Sequence, residues 1–195
     1  MIRIFGCLLI ASAIALPQVA LARTHHAKST KSSSTRNSAA KEKVERPSVL
    51  GQFKDWGAYS RGTGDSKVCY ALSEPKSTDP TNVKRDKAYF LINDWPSRKS
   101  KGEPEIVPGY QYRDGSPVTV QVGEDKFTFF TKNQDGAGGA WVLNAADESK
   151  LISAMRSGGI ALVTGTSTRG TVTHDSYSLA GISDAVDKIH DACGM

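Results

Sequence analysis

The sequence predicts a mainly β fold, an antiparallel β-sandwich with two short peripheral helices, and three observations carry that expectation. Short runs rich in β-branched and aromatic residues recur along the chain, turn-forming residues separate nearly all of them, and two segments alone carry an apolar stripe at helical spacing. About 149 residues, 47–195, take part, which suffices for one domain with one core.

The chain ahead of this domain has a different character. Residues 1–22, MIRIFGCLLIASAIALPQVALA, open with Arg3, run apolar from Ile4 to Leu16 and end on Ala20-Leu21-Ala22, the three parts of a secretory signal peptide. The apolar run is about 13 residues, against the roughly 20 that cross a bilayer. Cleavage after Ala22 and a periplasmic or secreted protein are therefore expected, with outer-membrane association left open. Ile4-Phe5-Gly6-Cys7 offers a competing reading as a lipid-attachment box, but it precedes most of the apolar run instead of following it.

Residues 23–46 are rich in Ser, Thr, Lys and Ala and hold almost no large apolar side chain. Such a segment cannot offset its ordering entropy, so a disordered basic linker is expected. Its seven Lys/Arg against Glu42 and Glu45 give +5, the formal net charge of the whole chain. With Arg3 also set aside, residues 47–195 carry 17 basic and 18 acidic side chains. A near-neutral folded part argues against a nucleic-acid partner. The tail reads either as an electrostatic attachment to an anionic surface or as a solvated spacer, and composition does not choose between them.

Within the domain, strand patterns appear at 56–60, 67–72, 88–92, 117–122, 126–131, 140–143, 160–166 and 171–179. Arg61-Gly62-Thr63-Gly64-Asp65, Asp114-Gly115, Gly123-Glu124-Asp125 and Asp135-Gly136 tolerate tight or left-handed backbone, which predicts hairpin connections and antiparallel pairing. Two stretches read as helices instead. Residues 147–157 place Leu151, Ile152 and Met155 on one face and stop at Gly158-Gly159, a usual left-handed end. Residues 183–193 start with Ser183 as a cap, align Ile182, Val186, Ile189 and Cys193 in one stripe, and close on Gly194. Many short strands with few helices point to a sandwich with the helices at its edges or ends.

Of three cysteines, Cys7 leaves with the signal peptide, so the exported chain keeps Cys69 and Cys193. An even pair in an oxidising compartment is most simply one disulfide, here closing a loop of more than 120 residues. The helical stripe turns Cys193 toward the core, where a strand cysteine such as Cys69 can meet it. Two free thiols and a metal site are the alternatives. His190-x-x-Cys193 has ligand-like spacing, yet no second close pair completes a tetrahedron, so neither metal nor cofactor is expected.

The stretch GTSTRGTVTHDSYSLAG, residues 165–181, holds Ser167, His174 and Asp175 and invites a hydrolase reading. A nucleophile elbow needs glycine two positions either side of its serine, and Ser167 is followed by Arg169. His174 and Asp175 are adjacent in a strand pattern, so they point to opposite faces and cannot act as base and orienter. A hairpin turning at 167–170 fits better, with Arg169 at its tip free to bind an anion or a partner carboxylate, or else solvated or paired with a nearby Asp. The second candidate is the loop Trp95-Pro96-Ser97-Arg98-Lys99-Ser100-Lys101, an aromatic beside three positive charges. It suits a polar or anionic surface, although such a Trp also serves to plug the end of a sandwich. The candidate binding residues are thus Trp95, Arg98, Lys99, Lys101 and Arg169, with no catalytic residue assigned.

Several pieces together give a family likeness: Phe53-Lys54-Asp55-Trp56, Lys67-Val68-Cys69-Tyr70, Gly165-Thr166-Ser167-x-Arg169-Gly170-Thr171, Asp175-x-Tyr177-Ser178-Leu179-x-Gly181 and the closing helix to Cys193. In this order the domain resembles the invasion-associated locus B proteins. The resemblance implies an immunoglobulin-like β-sandwich in an exported bacterial protein, linked in pathogenic members with entry into host cells and without an established enzyme activity. Many members carry a further cysteine shortly after the leading Trp, where this chain has Tyr59, so a second disulfide is not carried over.

Two functions of different class follow as expectations. The first is a non-enzymatic exported protein that binds an unidentified envelope or host-surface partner, its basic tail assisting by charge. The second is a periplasmic hydrolase or other envelope enzyme whose site is assembled from residues distant in sequence.

Overall fold

A computed structural model describes residues 46–195, so the expected signal peptide, the Cys7 box and nearly all of the basic linker lie outside the described residues. The strands are β1 (Ser48–Phe53), β2 (Trp56–Arg61), β3 (Val68–Ser73), β4 (Ser77–Asp79), β5 (Tyr89–Trp95), β6 (Ser100–Val107), β7 (Val118–Val122), β8 (Asp125–Gln134), β9 (Ala137–Val142), β10 (Ile160–Thr166) and β11 (Val172–Ser178). They form one antiparallel ladder in the order β1-β2-β3-β5-β6-β9-β8-β7-β10-β11-β4. The ladder does not close on itself; β1 and β4 are its edges.

The ladder doubles over so that its two ends face each other, which makes the sandwich. Phe90 of β5 and Tyr177 of β11 are far apart in the ladder, yet their rings meet edge to face at 5.6 Å. Trp56 of β2 is fully buried and its Nε1–H donates to the Ser178 carbonyl of β11 at 2.9 Å. Truncating such a Trp costs about 3–5 kcal/mol. Period-2 alternation selects the inner face: Cys69, Ala71 and Ser73 in β3, and Thr173, Asp175 and Tyr177 in β11, are buried while their neighbours are more exposed.

All eight sequence-predicted strands are present, and three more accompany them. β4 is three residues long, below the length at which a pattern shows. β1 and β6 carry glycine, and β6 also Pro104 between two glutamates, so propensity reads them as loop. Pro104 is accommodated because β6 pairs with β9 at Glu105 and Ile106 alone, leaving most of that side of the strand free of the ladder.

Helix α1 (Glu148–Ser157) buries Leu151 and Met155 as expected, but its end differs from expectation. Gly158 has φ −85°, an extended conformation, not a left-handed one. Space decides there: an added Cβ would lie 2.6 Å from the Val122 side chain. Helix α2 (Ile182–Cys193) is capped by Gly181, not Ser183, and stops on left-handed Gly194 as expected. It packs on β1, β2, β3 and β5, burying Ile182, Ala185, Val186, Ile189 and Cys193. Ala58 and Ala71, paired across β2 and β3, are small enough to let a helix approach this inner face.

The far end of α2 is fastened twice at one place. Cys193 is bonded to Cys69, which removes it from any metal pair with His190. Asp94, the cross-strand partner of Cys69, is fully buried; the Gly102 N–H donates to its Oδ1 at 2.7 Å, and His190 Nδ1 lies 2.7 Å from its Oδ2.

Candidate functional site

Strands β10 and β11 form the expected hairpin, and its turn is internally held. The Ser167 N–H donates to the Thr171 carbonyl and the Gly170 N–H to the Ser167 carbonyl, both at 2.9 Å, while Ser167 Oγ accepts from the Thr171 N–H at 3.2 Å. Gly170 has φ +85°, a conformation that favours glycine, and the end of the Arg113 side chain lies over it, Nη2 being 2.5 Å from where a Cβ would stand. A segment after β6 runs alongside the turn: Thr168 donates to Gln111 and Arg113 to Thr166, each at 2.9 Å.

The three residues that suggested a hydrolase are dispersed. Ser167 serves its own turn. His174 points outward and its Nδ1 pairs with Thr164 Oγ1 at 3.0 Å. Asp175 points inward to Arg85, which arrives from the chain between β4 and β5.

Arg85, held by the buried Asp175 carboxylate, forms the floor of a cleft. The guanidinium grips both carboxylate oxygens, Nη1 donating to Oδ2 at 2.8 Å and Nη2 to Oδ1, and Nη1 also donates to the Pro108 carbonyl at 3.2 Å. The side chains are 10% and 3% exposed, respectively. The bond to Asp175 raises the Arg85 pKa further above its ordinary value, so the pair is a fixed, internally neutral unit. Beside it Tyr110 Oη and Thr173 Oγ1 are 2.6 Å apart, and burial pushes the Tyr110 hydroxyl above its usual range, which keeps it protonated.

Above this floor the cleft has a volume of about 440 Å³. Its rim includes Lys84 and Arg169, with Arg113 beside Gly170. Among the described residues none of these three cations has a carboxylate within salt-bridge distance, and no carboxylate lines the cleft. The arrangement is a polar, positively charged recess over a rigid base, suited to holding an anion.

The candidate binding residues read from sequence fall into two regions. Arg169 stands on the cleft rim. Trp95, Arg98, Lys99 and Lys101 lie at the other end of β5 from the Arg85 segment, a strand of seven residues and so roughly 20 Å away. There the Trp95 ring is half-buried, with the Arg98 guanidinium over it at 4.5 Å, and Lys101 already belongs to β6 beside His190. The Trp95 face is thus covered by its own neighbour. Sequence reading missed Lys84, Arg85, Tyr110 and Arg113; the one signal available was that Asp175 alternates in phase with buried Tyr177.

No family model and no curated protein match this chain. Among solved structures, the crystal structure of invasion associated protein B from Bartonella henselae superposes with a TM-score of 0.51 over 74% of this chain and 98% of that chain, at 14% identity. The chain has the fold of invasion associated protein B. At this identity the likeness to invasion associated protein B concerns the fold, and the cleft residues stand on their own geometry.

Proposed function

We propose that this chain is an exported envelope or surface protein of the invasion-associated locus B type that works by binding a partner and not by catalysis. One observation carries the reading: Lys84 and Arg169 stand without acidic partners over a floor whose own charge is already neutralised. Cations carried on the loops of a β framework, exposed and left unpaired, are available to a ligand from outside. Export rests on the leader at residues 1–22, and a contribution to host-cell invasion rests on the likeness to invasion associated protein B. The basic linker assists by charge.

Fractionation of exporting cells tests this reading. The protein should be recovered beginning at Arg23 and should rebind isolated envelopes or host-cell surfaces; K84A/R169A should rebind several-fold less with an unchanged melting temperature. Retention of the leader, or rebinding indifferent to both substitutions, counts against it.

One arrangement favours an envelope enzyme instead. Buried Asp94 orients His190 as a carboxylate orients a catalytic base, and Ser149 and Ser153 line the adjacent recess. Among the described residues, however, no hydroxyl is hydrogen-bonded to His190 Nε2, and fastening α2 accounts for the pair. Ester hydrolysis by the purified protein that is abolished in H190A would establish this second reading.

A further inference from the structure

We infer that the cleft beside the last hairpin is a binding site for an acidic saccharide, a sugar bearing a carboxylate or a phosphate; the inference rests on the binding reading above and names its ligand. Two kinds of polar group meet there and they are sorted by depth. The deep ones are committed to each other: Arg85 to Asp175, and Tyr110 to Thr173. The shallow ones are not: the side chains of Asn82, Gln111, Thr168 and Thr171 line the cleft and make no hydrogen bond to any described residue. Three of the five Arg85 N–H groups are engaged, which leaves two without a partner among the described residues.

The chemistry of the occupant follows from this inventory. Unpaired, exposed Lys84 and Arg169 favour a negative group, and a guanidinium offers a carboxylate or phosphate two parallel donors. The amide and hydroxyl side chains then offer both donors and acceptors, which is what the ring hydroxyls of a sugar present. A peptide anchors itself through apolar side chains in apolar pockets, and Val83 is the single aliphatic residue of the lining. A nucleic acid needs a track of phosphate contacts, whereas this is one recess of about 440 Å³ in a near-neutral domain.

Calorimetric titration of the exported, purified protein at about 0.15 M salt, an ionic strength that screens loose attraction, tests the assignment with three probes: digalacturonic acid, glucose 6-phosphate and maltose. Saturable binding of either acidic sugar, with maltose silent, is the expected result, and which of the two binds identifies carboxylate or phosphate as the anion. K84A and R169A should each weaken that binding about tenfold, the loss of one charge-assisted hydrogen bond. Silence toward both acidic sugars, equal binding of maltose, or binding unchanged in both variants overturns the inference. The two proposals fail separately: envelope rebinding that needs Lys84 and Arg169 without any sugar binding would leave a binding protein whose ligand is not a saccharide.

Discussion

Arg85 and Asp175, 90 residues apart in sequence, meet as a two-point ion pair under the last hairpin and tie the segment before β5 to β11. Removing one partner of such a buried pair strands a charge in a poorly solvated site. R85A and D175A should each lose about 3–5 kcal/mol in urea unfolding. R85M/D175L, which removes both charges and keeps volume, should be more stable than either. A double variant as unstable as the sum of the singles would show that the pair does not act as one unit.

Glu105 gives a pH-dependent prediction. Burial raises its pKa more than the hydrogen bond from Asn93, at 2.9 Å, lowers it. A carboxyl whose folded pKa lies above its unfolded one contributes stability below the unfolded value and loses it as pH rises through the folded value. E105Q, neutral throughout, should therefore be more stable than the parent near pH 7, with the difference vanishing below about pH 4. Urea midpoints at the two pH values check this; a constant difference would contradict it.

The Cys69–Cys193 bond closes a loop with a sequence separation of 124. C69S, C193S and the double variant should each lose a similar amount, about 2–5 kcal/mol, because any one of them opens the same loop. Chemical denaturation under non-reducing conditions checks the equality. A double variant clearly worse than both singles would mean the thiols act separately.

Sequence made the strands legible where alternation was undisturbed, as in 171–179, and both helices where stripes such as Val186, Ile189 and Cys193 repeat. The disulfide was legible because the expected removal of a leader would leave two cysteines and the α2 stripe turns one inward. β1 and β6 were hidden because glycine, proline and glutamate carry little strand preference, and sheet pairing there overrides propensity. The Gly158 stop was misread because a glycine at a helix end serves close packing as readily as a left-handed turn. The cleft was half legible. Arg169 stood out at a hairpin tip, but Arg85, Tyr110 and Asp175 come together through long-range topology, and the polar run around Lys84 has no periodicity to mark it. Trp95 looked available because its covering partner Arg98 could not be placed from sequence.

Site-specific photo-crosslinking in intact exporting cells shows whether partners are engaged at the proposed Lys84–Arg169 cleft. A crosslinker at position 168, on the cleft, is compared with one at exposed Ile160, at the opposite end of β10. A discrete adduct is expected from position 168, lost when K84A and R169A are added, and none from position 160. Equal adducts from both positions, or an adduct at 168 that persists without the two cations, would mean that partners are not held at this cleft.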